Sequence, residues 1–315
     1  MSTIGIDLGG TKINGAVFDE EGNILCKSVH LLEKRQGKEV GQLLMQTIDE
    51  LFQFAEASTI EAIGICVPGI SHRKTGCVWA PNINGWENYP LQEEIEQHIR
   101  DQHIRVKIAS DRSCYILGET WKGAAKGVKN AVFIAIGTGI GMGILIDGRI
   151  LHGHADIAGA AGWLALDRQY ETDYVRYGCF ESKASGDGIA RCTQQILKES
   201  VLFKESILYT KETAAITAYD VFDAWEKNDP LAGYVIENAT KMWGMAAANI
   251  VSLFNPEIII WGGGVFGPAV QQIGAIYQEA CRWAQPIAIR QVVFEKSQLC
   301  GDAGLYGAGY LAISE

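Results

Sequence analysis

Residues 4–18 read IGIDLGGTKINGAVF, two short apolar runs separated by a pair of glycines. Apolar residues alternate as far as Leu8 and resume after Lys12, a pattern typical of a β-hairpin. Because Gly9 and Gly10 lack a Cβ atom, backbone N–H groups at such a turn can approach an anion closely.

The same stretch carries side chains suited to a phosphate ligand. Thr11 offers a hydroxyl, Lys12 a cation, and Asp7 a carboxylate of the kind that holds hydrated Mg²⁺. Taken alone, the stretch fits either a phosphate-binding turn or an ordinary tight turn in an edge hairpin. The rest of the chain has to decide between them.

The composition indicates a globular protein that binds a small molecule. The chain has 315 residues, 48% of them apolar, which is enough for two domains. Its net charge of −10 argues against a general nucleic-acid surface and against docking on anionic membranes. No signal-like segment and no apolar run of about 20 residues is present, so we expect a cytoplasmic protein. Its eight cysteines are scattered without a C-x-x-C pair, and we expect them to be reduced.

Two buried strands are predicted to end at polar or glycine-containing residues. Ala62–Val67 is followed by Pro68-Gly69, and Val106–Ala109 is followed by Ser110-Asp111. In open α/β sheets, ligands collect at the carboxyl ends of the strands. We therefore expect both junctions to face one ligand cleft.

The opening pattern recurs later in the chain. Residues 131–151 read AVFIAIGTGIGMGILIDGRIL, in which Gly137, Gly143 and Asp147 match Gly9, Gly15 and Asp19 at constant spacing. Such a recurrence predicts two related halves with a cleft between them.

A third glycine junction follows the predicted strand Ile258–Trp261, which ends at Gly262, Gly263 and Gly264. We expect the next helix to begin there, so that its N-terminus lies beside the ligand.

Helical periodicity is predicted for several segments, whereas residues 152–190 are predicted to form loops. The predicted helices are Lys38–Ala57, Ser113–Ala125, Ile189–Ser200, Ala218–Trp225, Leu231–Phe254 and Gly301–Ile313.

With these motifs assembled, the sequence resembles the ROK family of sugar kinases and repressors, within the actin-like ATPase superfamily. Four motifs occur in the family's order: DLGGTK at Asp7–Lys12, PNINGW at Pro81–Trp86, IGTGIGMG at Ile136–Gly143 and WGGGV at Trp261–Val265. The resemblance implies an α/β fold of two actin-like (ribonuclease H-like) domains around a cleft. We place the smaller domain at residues 1–117 plus 302–315 and the larger at 118–301.

The resemblance implies transfer of the γ-phosphoryl group of ATP to a sugar hydroxyl, with Asp111 as the general base. From the residues alone, Asp111 could also be the N-cap of a helix. Mg²⁺ would be held by Asp7 through water. The implied ATP-binding residues are Asp7, Gly9, Gly10, Thr11, Lys12, Gly137, Thr138, Gly139, Gly262, Gly263 and Gly264. The implied substrate-binding residues are Gly69, Asn82, Asn84, Ser110, Asp111, Ala160, Trp163 and Glu181.

The sequence departs from the family at its zinc motif. The motif's histidine position is Trp163 and two of its cysteine positions are Thr172 and Tyr174. Of the four zinc-binding residues of the motif, only Cys179 is present. Since a tetrahedral zinc site needs three or four ligands, we predict no zinc site of the family type. His152 and His154 with Cys179 are an alternative set, although surface positions are the simpler interpretation of these histidines.

A second departure concerns the acceptor. Ala160 stands where the family has a sugar-binding glutamate, so the site either binds ordinary hexoses weakly or admits a substituted sugar. Trp163 either stacks on a sugar ring or fills core space left by the missing zinc ligands.

The leading hypothesis is thus an ATP-dependent kinase of a hexose or hexose derivative, acting as a homodimer. The first alternative is a degenerate member that binds nucleotide and sugar as a sensor without transferring phosphate. The second is a DNA-binding repressor, which we consider less favoured because the first glycine turn lies so close to residue 1.

Overall fold

The computed structural model describes residues 2–55, 60–99, 103–200 and 202–314. The chain divides into two compact units. The first comprises Met1–Val128, Ile150–Ala158 and Ser297–Glu315, and the second comprises Lys129–Arg149 and Gly159–Lys296. Both are mixed α/β, as predicted.

The first unit is built on a five-stranded sheet with the order β3-β2-β1-β4-β7. The strands β1 to β3 are antiparallel neighbours, whereas β1, β4 and β7 run parallel. A separate two-stranded ribbon is formed by β5 and β6. The bounds are β1 (Ser2–Leu8), β2 (Lys12–Phe18), β3 (Ile24–Leu31), β4 (Ile60–Val67), β5 (Ile70–His72), β6 (Cys77–Trp79) and β7 (Arg105–Ser110).

Helices of the first unit are α1 (Lys38–Phe54), α2 (Leu91–His98), α3 (Asp111–Lys122) and α10 (Ala303–Ile313). The helix α1 ends at Phe54 with Ala55 as its C-cap, and the rest of its predicted extension to Ala57 lies outside the described residues. The apolar face of α1 packs on the sheet in one core cluster with Ile4, Ile6 and Ile65.

The last helix, α10, packs very closely on β1, β4 and α3, as its small residues predict. A methyl group at Gly64 would lie 1.9 Å from the carbonyl oxygen of Ala308, and one at Gly307 would lie 1.8 Å from that of Cys114. Because α3 packs along α10, it stays wholly with the first unit. The two units divide at 128/129, 149/150, 158/159 and 296/297. The domain boundaries at 117/118 and 301/302 stay a prediction.

The second unit repeats the first unit's sheet order, as β10-β9-β8-β11-β12. Its strands are β8 (Ala131–Ile136), β9 (Ile140–Ile146), β10 (Arg149–Ile150), β11 (Ile258–Gly262) and β12 (Val293–Lys296). This shared order supports the predicted duplication.

The register refines the predicted match between the two hairpins. Leu8 pairs with Ile13 in the first, and Ile136 pairs with Ile140 in the second. The second turn is therefore one residue shorter. Gly143 pairs with Phe133 in the second hairpin, at the position where Ala16 pairs with Gly5 in the first. Gly143 therefore corresponds to Ala16, and the predicted match to Gly15 is wrong by one position.

Helices of the second unit are α4 (Tyr174–Tyr177), α5 (Cys179–Ala184), α6 (Gly186–Glu199), α7 (Ala218–Glu226), α8 (Pro230–Phe254) and α9 (Ile273–Cys281). Helices α6 and α8 begin earlier than predicted, at Gly186 and Pro230, whereas α7 begins at the predicted Ala218. The prediction of loops up to residue 190 is thus wrong over α4, α5 and the start of α6, which are too short or too polar to show periodicity. The helix expected directly after Gly262–Gly264 begins only at Ile273, because two 3₁₀ turns intervene.

All eight cysteines are free thiols, as expected. No helix within the described ranges is long and apolar enough to cross a membrane.

Candidate active site

The first glycine turn is closed by its own backbone. The N–H of Gly9 donates to the carbonyl of Lys12 at 2.9 Å, and Leu32 donates to the carbonyl of Thr11 at 2.8 Å. Within the described ranges, no group accepts a hydrogen bond from the N–H of Gly10 or of Thr11. These two donors are therefore available to an anion. The exposed Asn82 lies beside the turn, since a methyl group at Gly10 would be 3.8 Å from its Cβ.

Asp7 lies at the carboxyl end of β1, next to Cys66 of β4 in the sheet register. The Cys66 thiol lies beside its carboxylate. A methyl group at Gly304 would lie 2.8 Å from the same carboxylate, so the first turn of α10 contacts it directly. Burial raises the pKa of Asp7, whereas the Cys66 thiol and the charge of Lys12 lower it and partly offset that rise.

Asp111 is the first residue of α3, directly after the end of β7. Ser110 holds the N-cap position, so the alternative that Asp111 is the N-cap is wrong. Oδ1 of Asp111 accepts the N–H of Arg112 at 2.8 Å. Burial raises the pKa of Asp111 to about 6, although the positive charge of Arg112 lowers it. A carboxylate with such a pKa can accept a proton near neutral pH.

Two further predicted substrate residues, Gly69 and Asn84, are hydrogen-bonded to neighbouring segments of the first unit. Gly69 has a φ of +90°, which favours glycine, and its carbonyl accepts from Nη2 of Arg112 at 3.4 Å. The side chain of Asn84 donates to Gln36 at 2.9 Å, and its carbonyl accepts the N–H of Gly37 at 2.9 Å. Asn84 thus ties the PNINGW stretch to the start of α1.

The second glycine turn lies in the second unit, against the start of α6. Gly186 donates its N–H to the carbonyl of Gly137 at 2.8 Å, and Asp187 donates to that of Thr138 at 3.4 Å. No acceptor for the N–H of Thr138 or of Gly139 is found in the described part of the chain. This turn therefore also presents two donors that an anion can use.

A pocket of about 590 Å³ adjoins the second turn. Its wall combines apolar side chains with the ion-paired Asp187 and Arg191, whose charged atoms are 3.9 Å apart. Of the third glycine junction, Gly264 reaches this wall. Its lining includes Thr138, Asp187, Arg191, Ile216, Tyr219 and Val265.

Ala160 precedes a 3₁₀ turn over Ala161–Trp163. The side chain of Trp163 is 57% exposed, so the prediction that it fills core space is wrong, and stacking on a ligand stays a prediction. Glu181 is half-buried in α5, and its Oε2 accepts the N–H of Ile140 at 2.7 Å. Burial raises the pKa of this carboxyl, whereas the Ile140 N–H and the charge of Arg191 lower it.

The region of the family's zinc motif has a different donor set here. Tyr174 is buried and its hydroxyl donates to Oδ2 of Asp167 at 3.4 Å, while Thr172 is exposed. The ammonium of Lys183 lies 5.8 Å from the ring centre of Tyr174 and 2.7 Å from a carboxylate oxygen of Glu171. In the described part of the chain, no group of three or more His, Cys, Asp or Glu side chains could hold a metal ion. The residues present therefore do not fit a tetrahedral zinc ion.

The alternative metal set does not assemble within one unit. His152 and His154 belong to the first unit, whereas Cys179 belongs to the second. Nδ1 of His152 lies 3.9 Å from Asp156, and burial lowers the His152 pKa.

Comparison with known proteins decides the family. The sequence model of the ROK family matches residues 3–315. The chain belongs to the ROK family. This confirms the family resemblance and, with the structural similarity below, the actin-like α/β fold.

Relatives of this ROK protein include kinases and repressors. It is 32% identical to a glucokinase of Halalkalibacterium halodurans, over 98% of this chain and 94% of the relative. The crystal structure of a ROK glucokinase from Streptomyces griseus with glucose and AMPPNP is similar at a TM-score of 0.77, with 28% identity over 99% of both chains. A xylose repressor of Caldicellulosiruptor bescii is 28% identical over 83% of this chain and 65% of its own. The ROK protein is thus related along its length to sugar kinases.

Several residues of the site were not found by sequence reasoning. Cys66 and Gly304 contact Asp7, and Arg112 adjusts the pKa of Asp111. Arg112 directly follows the predicted base Asp111, so its effect on the pKa of Asp111 could have been predicted from the sequence. Asp187 and Arg191, by contrast, line the pocket because the start of α6 packs beside Gly137. No local sequence pattern predicts that packing.

Proposed function

We propose that this ROK protein is an ATP-dependent kinase that transfers the γ-phosphoryl group to a hydroxyl of a hexose or hexose derivative. The observation that carries the proposal is Asp111, a carboxylate at a strand end with its pKa raised to about 6. The relatives named glucokinase make glucose the first acceptor to test.

Asp111 acts as the general base in this proposal. Its carboxylate accepts the proton of the acceptor hydroxyl while the hydroxyl oxygen bonds to the γ-phosphorus and the bond to the ADP oxygen breaks. The backbone hydrogen bond from Arg112 to Oδ1 fixes the carboxylate and leaves Oδ2 for the hydroxyl. The proton resides on Asp111 until solvent removes it.

The glycine turns bind the phosphates in this proposal. Within the first unit, the N–H groups of Gly10 and Thr11 are available to phosphate oxygens; within the second unit, those of Thr138 and Gly139 are. Such preorganised donors stabilise the charge of the transferring group without reorganisation. The adjoining pocket, with its apolar wall and the Asp187–Arg191 pair, suits the nucleoside part of ATP.

Asp7 is the residue that we propose to hold Mg²⁺, through water. Its carboxylate fits, because Mg²⁺ in kinases keeps several waters and takes one or two protein carboxylates plus phosphate oxygens. When bound, the ion neutralises phosphate charge.

A coupled assay of ADP release across a sugar panel tests the proposal. We expect turnover with glucose or a related hexose that depends on both ATP and Mg²⁺. ATP binding by calorimetry, without turnover on any sugar, would favour the degenerate sensor instead. That alternative is based on two departures from the family's pattern, Ala160 in place of a carboxylate and Trp163 in place of a histidine.

A further inference from the structure

The carboxylate of Glu181 contacts both the second glycine turn and the segment that follows Ala160. Its Oε2 accepts the N–H of Ile140, the residue that joins the turn to β9, at 2.7 Å. A methyl group at Gly139 would lie 2.7 Å from Oε2, and one at Gly162 would lie 2.8 Å from the same atom. The carboxylate thus fits between two glycines with no space to spare.

Three further backbone hydrogen bonds restrain this turn, and one lies within it, from the N–H of Gly137 to the carbonyl of Gly139 at 3.0 Å. The carbonyls of Gly137 and Thr138 are held by the first N–H groups of α6. Glu181 therefore fixes the exit of the turn while α6 fixes its start. The N–H groups of Thr138 and Gly139, which have no acceptor among the described residues, lie between these two anchors.

The second carboxylate oxygen is available to a ligand. No described residue donates a hydrogen bond to Oε1 of Glu181. The charges that act on the carboxyl are the attractive Arg191 and the repulsive Asp187, both on α6. One oxygen thus serves the turn and the other remains free for an acceptor hydroxyl.

We propose that Glu181 is a positioning residue for the nucleotide phosphates, which sets the geometry of the second glycine turn through the N–H of Ile140. The inference rests on the proposed function only in that ATP phosphates bind this turn. Glu181 should therefore affect ATP affinity even when no sugar is bound.

Calorimetric titration of the whole protein with Mg²⁺-AMPPNP, without any sugar, tests this assignment. We expect Glu181→Ala to weaken nucleotide binding by about tenfold, because the turn loses an anchor and a charge-assisted hydrogen bond. Glu181→Gln keeps an acceptor for Ile140 and should stay within about threefold of wild type. Glu171→Ala, which removes an exposed carboxylate of the same unit, is the matched control and should leave affinity unchanged.

The outcomes separate positioning from acceptor binding. If Glu181→Ala leaves nucleotide affinity unchanged and raises only the KM for sugar, the proposal is wrong. An equal loss in Glu181→Gln and Glu181→Ala would also contradict it. A wild-type protein that binds nucleotide but phosphorylates no sugar would refute the proposed function alone, whereas a wild type without nucleotide binding would refute both.

A thermal-stability cycle with Gly139→Ala covers the case of poorly folded variants. The three atoms nearest to the added methyl group all belong to the Glu181 carboxylate. We therefore expect Gly139→Ala to lower Tm in the wild type and to lower it less in the Glu181→Ala background. An equal fall in both backgrounds would contradict the contact on which the proposal rests.

Discussion

Arg112 donates its backbone N–H to Oδ1 of Asp111 at 2.8 Å, and Nη2 of its side chain reaches the carbonyl of Gly69 at 3.4 Å. One residue thus fixes the proposed base and spans to the loop after β4. Its positive charge opposes the burial that raises the pKa of Asp111 to about 6.

This relationship predicts the pH dependence of turnover. Asp111 must be ionised to accept a proton, so kcat should fall as the pH drops through about 6. Arg112→Leu removes the charge that lowers the pKa, so the acidic limb should move to higher pH, whereas Arg112→Lys should hold it near the wild-type position. The measurement is kcat against pH at saturating substrates. A limb that stays in place or moves to lower pH in Arg112→Leu would contradict this electrostatic role.

The region of the zinc motif should be stable without metal. Tyr174 is buried, so Tyr174→Ala should reduce the free energy of unfolding by about 3 kcal/mol. Tyr170 is 71% exposed, and Tyr170→Ala should change it by less than about 1 kcal/mol. Urea unfolding measures both. Tm should also be the same before and after a strong zinc chelator, and a large fall would indicate a metal in the fold.

Glu119 is a buried carboxylate that joins two loops of the first unit. It accepts from the Ser297 hydroxyl at 2.5 Å, from the N–H of Ala124 at 2.7 Å and from the N–H of Leu299 at 3.2 Å. Removing it leaves the buried Ser297 hydroxyl and two half-buried N–H groups unpaired, so Glu119→Ala should cost about 3 kcal/mol in urea unfolding. Glu96→Ala, on the exposed face of α2, is the control and should cost under about 0.5 kcal/mol. Similar effects of the two variants would show that the Glu119 contacts contribute little.

The sequence predicted those parts of the fold that local periodicity encodes. Alternating apolar residues and paired glycines located both hairpins, and continuous apolar runs located the buried strands. The shorter second turn was not predicted. The constant spacing matched Gly143 to Gly15, whereas the strand registers show that Gly143 corresponds to Ala16. Register depends on cross-strand hydrogen bonds, which a sequence match does not contain.

The sequence likewise predicted some features of the candidate site and missed others. Strand ends and glycines located Asp7, Asp111 and the turns, because backbone chemistry restricts those positions to few residue types. The exposure of Trp163 and the contact of Glu181 with Ile140 depend on how α5 packs against the second hairpin. No local pattern records such packing, and both required the structure.

Phosphoryl transfer by Asp111→Asn tests the central claim most directly. Asparagine keeps the shape of the side chain but cannot accept the proton, so kcat with ATP and the preferred sugar should fall by about 10²–10⁴-fold. Nucleotide affinity should be unchanged. The variant should unfold no more readily than wild type at pH 8, because an ionised carboxyl whose pKa is raised by burial lowers stability above that pKa. Turnover by Asp111→Asn at the wild-type rate would contradict the account.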